Sequence, residues 1–188
     1  MKNWPLIIVL GVLVLLVLWG VGQYNGLVTL DQAVKMQWAQ VDNQLLRRND
    51  LLPNLVGAVK GIAGQEQKVF GEIAEARARM SGARASGSVG DQINAARGMD
   101  SAIGRLLVVV ENYPQLRSAE NFRDLQAQLE GTENRIALER KRYNELVMEY
   151  NVTIKRFPVM LFAGKLGFRE KPSYPVAEEA RKVPQVQF

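Results

Sequence analysis

Residues 118–157 read SAENFRDLQAQLEGTENRIALERKRYNELVMEYNVTIKRF. Phe122, Leu129, Ile136, Tyr143, Tyr150 and Phe157 recur at intervals of seven. A second apolar track opens at Leu125, is interrupted at Thr132 and Glu139, and resumes with Leu146, Val147 and Ile154. Charged and amide side chains fill the positions between. A stripe of this kind is the core-facing side of a helix. Its seven-residue period suits a helix that crosses bundle neighbours at a shallow angle. The spacing predicts a helix over 118–156, with Ser118 as N-cap. It stops at Phe157-Pro158, because the residue before proline leaves the α region readily.

Upstream, residues 24–156 are rich in helix formers and lack any useful alternating pattern, which argues against strands. Breakers at Pro53, at the Gly/Ser-rich stretch 81–90 and at Pro114 divide them into helical segments of about 24–50, 53–82, 91–111 and 118–156. Val34, Trp38, Val41 and Leu45 line one face; Leu52, Leu55, Val59 and Ile62 line the next. Asp50 fits an N-cap ahead of Pro53 and predicts a chain reversal at 50–53. The series Trp38, Leu45, Leu52, Val59 runs on through Pro53 and also fits one kinked helix. The reversal is preferred, because a continuous 24–83 helix would be about 90 Å long and the two later helices could not cover it. Beyond Pro158, Val159 to Ala163 and Leu166 to Phe168 are apolar. They either fold back on the bundle or touch a bilayer surface. From Lys171 on, the chain reads as irregular.

The N-terminus reads MKNWPLIIVLGVLVLLVLWGVGQYNGLV, and every residue from Pro5 to Gly22 is apolar or glycine. Those residues reach about 27 Å as a helix, enough with their flanks to cross a hydrocarbon core of ~30 Å. Trp4 and Trp19 stand near the two ends, where amphipathic rings favour the headgroup level. A cleaved signal peptide is the rival reading, but its apolar region would be too long and its basic leader too short. A retained anchor is expected. Lys2 and the amino terminus precede the span, while Lys35 follows it opposed by Asp31. The positive-inside rule then places the main domain outside the cytoplasm. The expected fold is all-α: an N-terminal transmembrane helix over 1–23, an antiparallel up-and-down four-helix bundle over 24–168, and an irregular C-terminal tail over 169–188.

Composition narrows the chemistry. The chain of 188 residues has no Cys and no His. Disulfides, Cys/His zinc sites, Ser-His-Asp and Cys-His catalysis and a histidine pH switch are therefore excluded. Net charge is +5, but bases and acids mix along the last helix as on a solvated face. The one dense cluster, Arg140-Lys141-Arg142, is flanked by Glu139 and Glu145. With no recognised nucleic-acid module, no nucleic-acid partner is expected. Gly164-Lys165 resembles the end of a phosphate loop, but Val159 stands where its first glycine belongs and no Ser or Thr follows. A di-iron bundle needs Glu-x-x-His pairs that cannot exist here. No metal, cofactor or small-molecule substrate is indicated, and no enzymatic activity is expected.

Polar residues inside the apolar tracks define the candidate site. Arg48 interrupts the track Val41, Leu55, Ile62, as Thr132 and Glu139 interrupt the last helix. Burying either charge alone costs several kcal/mol, so each needs a partner. The expectation is a partly buried ionic network drawn from Asp42, Arg48, Arg135 and Glu139. The polar runs Arg47 to Asp50 and Glu133 to Arg135 read first as caps and ion pairs.

The chain also resembles the LemA family of bacterial membrane proteins. The strings that carry the likeness are WAQVD at 38–42, LLRRNDLLPNLV at 45–56, VKG at 59–61, ENYP at 111–114 and LEGTENRI at 129–136. They continue with YNELV at 143–147, YN at 150–151, FP at 157–158 and GF at 167–168. The resemblance implies an N-terminal single span in the inner membrane and a four-helix bundle, and it implies no enzymatic activity. It points to a scaffold or interaction protein of the cell envelope, with an unidentified protein partner besides the bilayer contacted by residues 5–22. The alternative it leaves open is an accessory subunit of a membrane protease or AAA-type ATPase quality-control system.

Overall fold

The seven-residue stripe of the last segment becomes a long helix in the computed structural model, which describes residues 4–175. In chain order the helices are α1 (Trp4–Lys60), α2 (Gln67–Ser86), α3 (Val89–Asn112), the short α4 (Pro114–Ser118) and α5 (Glu120–Lys155). A single 3-10 turn follows at Val159–Leu161. No strand occurs among the described residues, and the fold is all-α.

The expected reversal at 50–53 is not there. α1 runs through Pro53 to Lys60, and the chain turns over 61–66 instead. Energetics explain why. A proline inside a helix costs about 3 kcal/mol. Leu52, Leu55 and Val59 are each at most 2% exposed, and burying one such side chain is worth ~1.5–3 kcal/mol. Three of them outweigh the proline, whose own ring faces solvent. The helix stops where Lys60 ends the last turn and Gly61 and Gly64 follow. Ile62, assigned to the stripe, falls past this end and is 41% exposed.

Two further boundaries differ from expectation. α2 extends to Ser86 and α3 begins at Val89, so Gly87 and Ser88 alone separate them. Gly87 adopts φ +70° at the C-cap of α2, which a residue with a Cβ tolerates poorly. The Asp91 amide donates to the Ser88 hydroxyl oxygen at 3.3 Å, making Ser88 the N-cap of α3. Ser118, expected to cap the last helix, instead closes α4 and donates its hydroxyl to the Gln115 carbonyl.

The chain divides into two compact units. One comprises residues 4–38 and 142–173 of the described chain. In it Leu27, Val34 and Trp38 of α1 and Tyr143, Val147, Tyr150 and Ile154 of α5 are buried. The Trp38 ring meets Tyr143 edge-on, with centroids 5.1 Å apart. The apolar start of α1 is exposed along its length; Leu6 and Leu15 are 69% and 67% exposed. It is the one described helix long and apolar enough to cross a membrane.

The other unit comprises residues 39–141 with 174–175. Val41, Leu45, Leu52, Leu55 and Val59 continue the α1 stripe and, with Arg48 between Leu45 and Leu52, follow one another at alternating steps of four and three. α2 and α3 pack as a helical hairpin and contribute Phe70, Ile73 and Met80, and Ile93, Met99 and Leu106. From α5 come Phe122, Leu129 and Ile136. Ion pairs join the helices at the rim: Arg84 to Asp42 at 2.9 Å and Arg105 to Glu72 at 3.3 Å. The result is a helical bundle.

Candidate functional site

Arg48 sits three residues after Leu45 and four before Leu52, a position the periodicity of α1 turns into the core. It is 1% exposed and is among the largest fully buried side chains. Its Nη1 donates to Asp100 Oδ1 at 2.5 Å and to Glu133 Oε1 at 3.0 Å. Its Nη2 donates to the Ala96 carbonyl at 3.3 Å. One guanidinium thus bonds to α3 twice and to α5 once. Burial works against its charge, but the carboxylates of Glu133 and Asp100 outweigh it and raise the pKa further.

Asp100 carries the cluster outward. Its Oδ2 accepts from Arg140 Nη2 at 3.2 Å. The same nitrogen donates to the Tyr174 hydroxyl oxygen at 2.7 Å, and the guanidinium stacks 4.0 Å from the Tyr174 ring centroid. Two bases and two acids balance, and Asp100 and Glu133 remain 38% and 39% exposed at their side chains. Tyr174 is 2% exposed, and burial pushes its phenol up to about 12.

Of the four residues expected to form a network, Arg48 lies at the centre of this cluster. Asp42 pairs with Arg84 on α2. Arg135 is exposed, and Glu139 is half-buried on α5. The carboxylates bound to Arg48, Asp100 and Glu133, lie one residue past core positions, next to Met99 and Thr132. Arg140 likewise follows the Glu139 interruption. The signal for them was adjacency to the stripe rather than a place in it.

The unit of residues 4–38 and 142–173 holds a second polar arrangement on the segment after α5. The expectation for 169–188 was an irregular tail. Residues 169–175 have no helix or strand, yet several are held by specific bonds; residues 176–188 lie outside the described part. Lys171 donates its amide to Asn151 Oδ1, and Asn151 Nδ2 donates to the Lys171 carbonyl, both at 2.9 Å. Lys171 Nζ lies 2.6 Å from Asp31 Oδ1 and 5.2 Å from the Tyr150 ring centroid. The Tyr143 hydroxyl donates to the Pro172 carbonyl at 2.8 Å. Burial raises the Asp31 pKa, but the ammonium groups of Lys171 and Lys35 prevail and hold its carboxyl below its ordinary 3.8. Burial pushes the Tyr143 phenol up to about 12.

These groups can fix which helix faces which and can pin a non-helical segment. Among the described residues no group of three or more His, Cys, Asp or Glu side chains is placed to hold a metal ion.

The magnetosome protein MamQ of Magnetospirillum gryphiswaldense is 27% identical over 180 residues, covering 80% of this chain and 66% of its own length. The magnetosome proteins MamQ 2 and MamQ 1 of Paramagnetospirillum magneticum are each 26% identical over 180 residues, with the same coverage. The chain therefore spans 66% of the length of these curated relatives. The LemA family matches residues 37–188, most of the chain. The chain belongs to the LemA family.

Proposed function

We propose that the protein is a membrane-anchored scaffold of the bacterial cell envelope. A single pass over residues 5–22 holds it in the inner membrane. An antiparallel up-and-down four-helix bundle, outside the cytoplasm, offers its faces to a protein partner. The observation that carries this reading is the change of character along α1. Its first part is charge-free and exposed all round, and from Leu27 on the same helix shows one buried stripe. A helix apolar on every side needs lipid or protein around it, whereas a striped helix needs a bundle. The buried Arg48 is held by Asp100, Glu133 and the Ala96 carbonyl, contacts that fix how helices meet and so suit a binding framework.

The orientation rests on the charges close to the span in sequence. Lys2 and the amino terminus favour the cytoplasm, and Lys35 on the other side is ion-paired with Asp31 at 2.7 Å. Alkaline phosphatase and fluorescent-protein fusions at the C-terminus test it. Active phosphatase with a dark fluorescent fusion is expected, and the converse pair would reverse the topology. Crosslinking in native membranes followed by mass spectrometry tests the scaffold role. A stoichiometric protein partner is expected. Turnover by the purified chain with no such partner would contradict it.

A further inference from the structure

α5 ends at Lys155, two residues before the next member of its seven-residue stripe. Phe157 therefore leaves the core and is 77% exposed. In the turn that follows, Val159 and Ala163 point inward at 5% and 2% exposure, while Met160, Leu161 and Leu166 point outward at 56%, 61% and 50%. Large apolar side chains gathered in water in this way mark a membrane or protein contact. Cations interleave with them. Residues 155–171 contain five bases and one acid, Glu170. Glu170 is paired with Lys155 at 2.8 Å, and Lys171 is paired with Asp31. Arg156, Lys165 and Arg169 are exposed.

The position of this turn identifies its occupant. Phe168 packs edge-on against Tyr24, with ring centroids 5.9 Å apart. Tyr24 lies two residues past Gly22, about 3 Å of helix rise beyond the end of the apolar segment. If residues 5–22 span a bilayer, the turn stands at the headgroup level of the leaflet where the span emerges. Aliphatic and aromatic side chains mixed with Lys and Arg are the composition of a segment lying in that interface. The surplus positive charge complements anionic lipid.

We propose that residues 156–169 form a second membrane contact. Phe157, Met160, Leu161 and Leu166 enter the acyl boundary, and Arg156, Lys165 and Arg169 meet anionic headgroups. The proposal rests on the reading of 5–22 as a span.

The chain has no cysteine, so single cysteines can be placed and spin-labelled in the full-length protein. Leu161→Cys and Leu166→Cys report the turn, Val12→Cys reports the span, and Met148→Cys reports an exposed site on α5. The protein is reconstituted in phosphatidylcholine vesicles with and without phosphatidylglycerol, and each label is probed with oxygen and a water-soluble nickel chelate. The labels at 161 and 166 are expected to be severalfold less open to nickel than the label at 148. They should move toward water when phosphatidylglycerol is omitted or when Arg156, Lys165 and Arg169 are changed to Gln. Labels at 161 and 166 as open to nickel as 148, with position 12 protected, would overturn the second contact and leave the span standing. Nickel access at position 12 as well would remove the anchor and this inference with it. Dipolar broadening at 161 that disappears on dilution with unlabelled chain would make a second copy the occupant and overturn the lipid assignment.

Discussion

Arg48 holds a core position that Leu45 and Leu52 hold one step before and after it, and its charge is tolerated there because two carboxylates and a carbonyl meet it. Removing one partner of a buried ion pair typically costs about 3–5 kcal/mol. Arg48→Ala should cost about that much, since it also leaves a cavity. Asp100→Ala and Glu133→Ala should each cost only ~1–2 kcal/mol, because the other acid still faces the guanidinium. Urea unfolding of the detergent-solubilised chain measures all three, and a smaller loss for Arg48→Ala than for either acid would contradict the geometry. Arg48 could be picked out from the sequence because its place in the α1 stripe is fixed by period alone. Its partners could not, because the choice among acids on other helices depends on axial register, and the reversal expected at 50–53 set that register wrongly. The tyrosines give a test by pH. Tyr143 and Tyr174 have folded pKa values of about 12 against an ordinary 10.0. Raised values contribute stability that is complete below pH 10 and is lost as pH climbs toward 12. An ultraviolet phenolate titration should show late-ionising groups that Tyr143→Phe and Tyr174→Phe each diminish. Titration of all tyrosines near 10 in the folded protein would contradict the burial. Asp31 works in the opposite direction: its lowered pKa contributes stability present above 3.8 and lost as pH falls through the lower folded value.

Among the elements, α5 was the most legible, because Phe122 to Tyr150 repeat a core position every seven residues and all five are buried. The end of α1 was the least. Pro53 and Asp50 offered a local stop signal, and the apolar series through Leu52, Leu55 and Val59 opposed it. The series prevailed because burial is worth more than the missing amide. Lys60 followed by Gly61 and Gly64 was the true terminus signal, a basic last turn and then glycine. Two substitutions test this account. Pro53→Ala should stabilise the protein by roughly 2 kcal/mol, since it restores a helix bond without disturbing a buried contact. Gly87→Ala should destabilise it by about 1 kcal/mol, the cost of placing a Cβ in the left-handed region. No neighbouring atom lies within 4 Å of that Cβ, so strain alone is being measured. Thermal unfolding followed by circular dichroism reads both. A loss of helix content in Pro53→Ala would show that the chain does reverse near residue 53.

At the scale of the whole molecule, the apolar start of α1 was the plainest message in the sequence, since no charge interrupts Asn3 to Leu30, a composition and length that suit a hydrocarbon core. The polar clusters were less legible because each is assembled from helices far apart in sequence. The central claim is that the apolar start of α1 holds the protein in a membrane. Alkaline carbonate extraction of cell membranes, paired with N-terminal sequencing of the extracted protein, tests it most directly. The full-length chain should stay in the membrane pellet with residues 1–22 intact, and a chain lacking them should appear in the supernatant. Full-length protein in the supernatant, or a steady-state chain beginning after Gly22, would contradict the anchor.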